Sequence, residues 1–182
     1  MNDHITQTQH IKGYRFKLKA SSEGLMSLEF KPLQKDSVST FPEKDSAELP
    51  KAESILREAF QQLTDYFSHE RKFFSIPMDL RGTPFQLEVW KALKQIPYGK
   101  VTSYGMIARH IGNPKAVRAV GMANNKNPLS IIIPCHRVLG KNGHLTGFGG
   151  GLDTKQKLLE LEGHSIHSMK ITEETSWAQN IG

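Results

Sequence analysis

Cysteine is almost absent: the 182-residue chain has one, Cys135. A single thiol cannot close an intrachain disulfide, and a zinc site built from several cysteines is excluded. The first residues, Met1-Asn2-Asp3-His4, are polar and no apolar segment follows them, so a secretory signal is not expected. A lone cysteine in that context points to a reducing, cytoplasmic setting. Long apolar runs are missing too; none approaches the ~20 residues that a membrane-spanning helix needs. Acidic residues are missing from one stretch. Residues 81–141 hold ten Lys/Arg and one acid, Glu88, whereas residues 1–80 hold eleven basic and twelve acidic residues. The net charge of +6 therefore sits in the second half of the chain. One-sided basicity suits a phosphate-backbone binder, and it equally suits a solvated basic face.

What is present divides into two lobes and a tail: residues 1–80, 81–165 and 166–182. Residues 1–11 are polar and read as frayed. Residues 12–20 and 24–31 alternate apolar and polar, as half-buried strands do, and form a hairpin. Residues 32–50 are rich in Ser, Asp, Glu, Lys and Pro and read as a loop. Residues 52–68 space Ile55, Leu56, Ala59, Leu63, Tyr66 and Phe67 as the apolar face of a helix that packs on the hairpin. The fold class is thus α+β, with a small N-terminal α+β lobe and a mostly helical C-terminal lobe.

In the second lobe, Thr83 and Pro84 supply an N-cap and an N1 residue for a helix whose apolar face is Phe85, Val89, Trp90, Leu93 and Ile96. Two short helices follow, over 103–110 and 115–124, separated by Gly112-Asn113-Pro114. This is the helix-turn-helix pattern. The second carries small residues, Ala116, Ala119, Gly121 and Ala123, around Arg118. Such a face permits close helix packing or close approach to a DNA groove. Ile131-Ile132-Ile133 reads as a short buried strand within 129–134 that delivers Cys135 and His136. Residues 140–151 hold six of the fifteen glycines and read as a loop. An amphipathic helix spans 153–162, and residues 164–182 read as a loosely held tail.

Cys135 beside His136 is a candidate nucleophile and base. A free thiol is only slightly ionised at neutral pH, so an imidazole or nearby positive charge, here Arg137, would raise the thiolate population. On an extended strand adjacent side chains face opposite ways, so a direct Cys135–His136 contact requires a bend, or else a bridging water. A lone buried cysteine can also be an inert small hydrophobe.

The run Ile133-Pro134-Cys135-His136-Arg137-Val138 resembles the reactive-site signature of the O6-alkylguanine-DNA alkyltransferases. The resemblance extends through Gly99-Lys100-Val101-Thr102-Ser103-Tyr104-Gly105 and Gly112-Asn113-Pro114-Lys115-Ala116-Val117-Arg118-Ala119-Val120-Gly121. It continues in Asn127-Pro128, Gly147-Phe148-Gly149-Gly150-Gly151-Leu152, Lys157-Leu158-Leu159 and Glu162-Gly163, spanning roughly 82–163. It implies a ribonuclease-H-like sheet plus helix in the first lobe. It also implies a monomer that binds double-stranded DNA containing alkylated guanine through the minor groove, with base flipping. The alkyl group is then expected to pass irreversibly to Cys135, once per molecule and without a cofactor. By the same resemblance, a relay is expected to run from Glu162 to His136 and through a water to Cys135. The resemblance further implies that Asn127 braces the turn before the cysteine, that Arg118 fills the vacated stack and that Tyr104 helps turn the nucleotide out. It implies DNA contacts by Ser103, Lys115, Ala119 and Ala123, and a pocket lined by Val138, Phe148, Gly149 and Ser130.

The cysteine-based zinc site of some relatives, and the cysteine-cluster regulatory domain of others, have no cysteines to build them here. Ser130 and Gly149 stand where some relatives have proline and serine, which favours a roomier pocket that takes larger alkyl groups or O4-alkylthymine. Rival readings are a catalytically silent lesion-binding protein, a cysteine hydrolase and a plain transcription regulator. The intact Cys135 signature weighs against the first, the basic helix pair has no purpose in the second, and the third predicts sequence-specific major-groove binding indifferent to Cys135→Ser.

Overall fold

The computed structural model describes residues 4–33 and 50–171. The expectations for residues 1–3, for the loop over 34–49 and for the tail beyond 171, with Trp177, lie outside the described residues. The chain divides into two units, Met1–Arg81 and Gly82–Gly182.

In the first unit, β1 (His4–Ile11), β2 (Tyr14–Ser21) and β3 (Leu25–Pro32) form an antiparallel sheet in that order, with α1 (Pro50–Phe67) packed against it. Alternation in β2 and β3 turns Phe16, Leu18, Ala20, Leu28 and Phe30 inward, where they are buried together with Ile55, Leu56, Ala59, Phe60 and Leu63 of α1. The rings of Phe16 and Phe30 stack with centroids 5.5 Å apart. The β1–β2 turn places Lys12 and Gly13 at φ 47° and 83°, the twist that suits a two-residue hairpin. β1 corrects the expectation of a frayed start: it pairs with β2 along its whole length. Only Ile11 of this strand is buried, so as a polar edge strand it lacks the alternation that marks a strand in sequence. Beyond β3, Leu25 bonds with Pro77 and Asp79 through the backbone at 2.8 and 3.0 Å. The adjacent Gly24 admits no side chain, since a Cβ there would lie 2.6 Å from the Met78 backbone.

The second unit opens with α2 (Pro84–Lys94), started by a capping box in which the Thr83 hydroxyl accepts from Gln86 N while the Gln86 side chain accepts from Thr83 N. Then come β4 (Thr102–Ser103), α3 (Tyr104–His110) and α4 (Val117–Asn125). The Ser103 hydroxyl caps α3 by accepting from Met106 N. The turn after α3 runs through Gly112 at φ 71°, and α4 begins two residues later than its sequence pattern suggests. Trp90 Nε1 donates to Ala123 O at 2.9 Å, tying α2 to α4. β5 (Val138–Leu139) pairs in parallel with β4, and α5 (Leu152–Leu161) follows. Residues 166–171 are not a loose tail. They form a hairpin, β6 (Ile166–His167) and β7 (Lys170–Ile171), whose Ile171 joins Val101, Leu139, Leu145 and Leu159 in a core cluster. Among the described residues no helix is long and apolar enough to cross a membrane.

Candidate active site

The expected strand over 129–134 is not there. Ile131 instead takes φ 76°, a left-handed conformation that costs a β-branched residue about 1–3 kcal/mol. Side-chain bonds hold the turn: Asn127 Nδ2 donates to Ile133 O at 2.7 Å, and Asn127 Oδ1 accepts from Leu129 N at 3.0 Å. A backbone bond from Ile133 N to Leu129 O, 2.8 Å, closes the loop. β-Branched residues favour strands, but here the asparagine satisfies the backbone groups that a strand neighbour would otherwise take.

The chain then enters a 3-10 turn over Cys135–Arg137, which supplies the bend that a strand would have lacked. All three side chains are buried. Cys135 Sγ lies 3.9 Å from Ser130 Oγ. Burial pushes the Cys135 thiol above its ordinary range, while hydrogen bonding by Asn127 and Ser130 and the charge of Lys155 pull it back.

His136 Nε2 lies 2.9 Å from Glu162 Oε1. A carboxylate only accepts, so Nε2 carries the proton and Nδ1 is left with the lone pair. Nδ1 is buried and has no protein partner. Burial lowers the imidazole below its ordinary value, against the upward pull of Glu162, which keeps the ring neutral and able to accept a proton.

Glu162 follows the last turn of α5, where the helix dipole disfavours an anion. Arg137 offsets this: its Nε donates to Oε2 at 2.9 Å and its Nη2 to Oε1 at 2.8 Å. Gly99 N adds a bond to Oε2 at 3.2 Å. Burial would raise the Glu162 carboxyl, but His136 and Arg137 outweigh it and hold the group far below the usual carboxylate range. Arg137 also donates to Ile96 O at 2.6 Å and lies over the Tyr98 ring. The expectation that Arg137 adds charge at the thiol is corrected: its guanidinium is spent on Glu162.

The cation that does act on the thiol is Lys155, which sequence reasoning missed. Its Nζ is buried and donates to Val138 O at 2.6 Å and Thr146 O at 2.8 Å. Burial lowers it to about 8, while the Cys135 charge pulls it upward. The signal was available, since residue 155 stands one turn before Leu158 and Leu159 on the inward face of α5.

The chain matches a family model described as the 6-O-methylguanine DNA methyltransferase DNA-binding domain over residues 84–164. It is 59% identical over 111 residues to a methylated-DNA–protein-cysteine methyltransferase of Methanosarcina acetivorans, covering 61% of this chain and 71% of that one. The chain belongs to the methylated-DNA–protein-cysteine methyltransferase family. The family likeness extends to whole folds. The structure is similar to Mycobacterium tuberculosis OGT in a crystal with DNA, with TM-score 0.70, 43% identity, and coverage of 86% of this chain and 91% of that one. A Methanococcus jannaschii O6-methylguanine DNA methyltransferase matches with TM-score 0.60 and 31% identity over 91% of this chain and 98% of that one.

In this methyltransferase the remaining expected residues fall as follows. Tyr104 opens α3, is hydrogen-bonded with Thr146, and lies near enough to Cys135 for the thiolate charge to raise its phenol, after burial. Its ring would lie 3.9 Å from a Cβ at Gly121 of α4. Arg118 and Lys115 are exposed and Ala119 is half-buried. Ala123 faces inward: it is buried, and its carbonyl serves Trp90. Ser103 is engaged as a cap. Val138 is buried in β5, Phe148 is half-buried, and a side chain at Gly149 would meet open space.

Proposed function

We propose that this protein repairs alkylated guanine in duplex DNA by direct reversal, moving the alkyl group from O6 to Sγ of Cys135. The observation that carries this reading is the buried series Cys135–His136–Glu162, in which the carboxylate fixes the imidazole tautomer and leaves Nδ1 to accept a proton. His136 takes the thiol proton through a water. The thiolate attacks the alkyl carbon, the bond from carbon to O6 breaks, its electron pair passes to the guanine, and the guanine takes up a proton. The product thioether has no easy route back to a thiolate, so each molecule acts once and needs no cofactor.

Residues 81–165 form the working part in this reading. Double-stranded DNA lies against α4, Arg118 fills the space left by the flipped nucleotide, and Tyr104 bonds the extruded base. Lys115 and Ser103 contact the backbone beside it. Val138, Phe148, Gly149 and Ser130 line the pocket, and the open space at Gly149 supports acceptance of larger alkyl groups and O4-alkylthymine. A cytoplasmic setting suits a thiol that must stay reduced.

The test is the intact mass of the protein after mixing with duplex DNA containing one O6-methylguanine. A gain of one methyl group, mapped to Cys135 and saturating at one per molecule, is expected; Cys135→Ala gains none. DNA binding without a mass change would instead support a silent lesion-binding protein.

A further inference from the structure

α4 carries an exposed apolar residue that the repair chemistry above leaves unused. Val120, Ala123 and Asn124 are buried and fix which side of this helix faces inward. At 100° per residue, Arg118, Met122 and Asn125 then form the outward ridge. Met122 is 63% exposed, the second most exposed large hydrophobic residue among the described ones. It stands one turn, ~6 Å, beyond Arg118. Gly121 lies between these two and faces the Tyr104 ring. Along α4, the glycine that faces Tyr104 is thus preceded by a guanidinium and followed by a thioether. Exposed Arg109, Lys115 and Lys126 surround the ridge, with no acid on α3 or α4. That charge selects a polyanion as the occupant; Val117, at the start of α4, is also exposed, but Met122 is the more exposed apolar residue and the one on the ridge with Arg118.

We infer that Met122 is a second DNA-contacting element, an apolar wedge that packs against the nucleotide flanking the flipped one, on the side of Gly121 away from Arg118. The inference rests on the reading of α4 as the DNA-binding helix. The physical reason is a division of labour. Arg118 can replace the lost stacking and hydrogen bonding of the extruded base. The adjacent base pair, still paired, is left partly unstacked, with an apolar base face or sugar edge that a guanidinium does not cover. A flexible, polarisable thioether is well suited to cover it, and methionine is among the side chains that minor-groove proteins insert between base steps. Ala119 and Gly121 on either side are small enough to let the helix come this close.

The experiment measures duplex affinity by fluorescence anisotropy for Met122→Ala, Met122→Gln and Met122→Leu beside Arg118→Ala, with thermal unfolding of each. Covering a half-exposed methionine side chain corresponds to roughly a five-fold gain in affinity. Met122→Ala and Met122→Gln should lose about that factor with unchanged melting temperature, and Met122→Leu should retain affinity. Duplex DNA should also slow peroxide oxidation of Met122 to the sulfoxide, followed by peptide mass. If Arg118→Ala weakens binding while Met122→Ala and Met122→Gln do not, and DNA leaves the oxidation rate unchanged, the wedge is refuted with the DNA face intact. If neither position affects binding, the assignment of α4 as the DNA-binding helix falls, and the wedge with it.

Discussion

Replacing Glu162 with glutamine keeps the shape of the side chain and removes its charge. The carboxylate serves the Arg137 guanidinium at 2.8 and 2.9 Å and His136 at 2.9 Å. Glutamine would present an amide N–H to one of these donors and leave the buried Arg137 charge uncompensated. Breaking a buried pair from one side costs about 3–5 kcal/mol. For a chain of this length each kcal/mol moves the melting temperature by about 2–4 °C, so a drop of roughly 10 °C is expected at pH 7. The pH dependence gives an independent check. A carboxyl held below its unfolded value of 4.5 stabilises the fold above that pH and loses the contribution as pH falls through the folded value. The wild-type advantage over Glu162→Gln should therefore shrink in urea titrations run progressively below pH 4.5. Transfer should slow as well, by about tenfold or more, because His136 loses the charge that offsets its burial. A variant within 1 kcal/mol of wild type at pH 7, with an unchanged transfer rate, would refute the account of Glu162 as the group that organises this site.

Lys155→Met should raise the Cys135 thiol further and slow transfer. Thiolate absorbance reads this cleanly with one cysteine in the chain, and the difference from wild type should narrow above pH 8, where Lys155 itself loses its proton. Asn127→Ala should cost about 2–4 kcal/mol in urea unfolding, because Ile133 O and Leu129 N lose their partners. The wild-type transfer rate should rise with pH across the neutral range, since the thiol sits above its ordinary value. Its protonation-limited fall by His136 should lie below pH 6.5, since that imidazole is lowered. A rate that is level from pH 6 to 8 would contradict the raised thiol, and a His136-limited fall that begins above pH 6.5 would contradict the lowered imidazole.

Local chemistry made much of the fold legible. Thr83 with Gln86 and Pro84 marked the start of α2, Gly112-Asn113-Pro114 the break between α3 and α4, and alternation the β2–β3 pair. Cys135 next to His136 suggested a nucleophile and base, the roles proposed for them above. The misreadings have physical causes. β1 is an edge strand whose polar residues carry no amphipathic pattern, and only pairing with β2 defines it. The three isoleucines read as a strand because β-branching favours one, yet Asn127 takes the backbone bonds and forces a turn through Ile131. The ion pair of Arg137 with Glu162 joins residues 25 apart, a distance at which charge patterning carries no signal. Lys155 was missed because a lysine is expected at the surface, although its helical position faces the core.

The only sulfhydryl in the chain is buried and is the proposed alkyl acceptor, which would give the protein an internal tally. A thiol reagent should find almost nothing in the native fold, one equivalent per chain after denaturation, and none in a molecule that has already been used. In a mixed population, the shortfall from one thiol per denatured chain counts the spent molecules, with no labelled substrate and no separation.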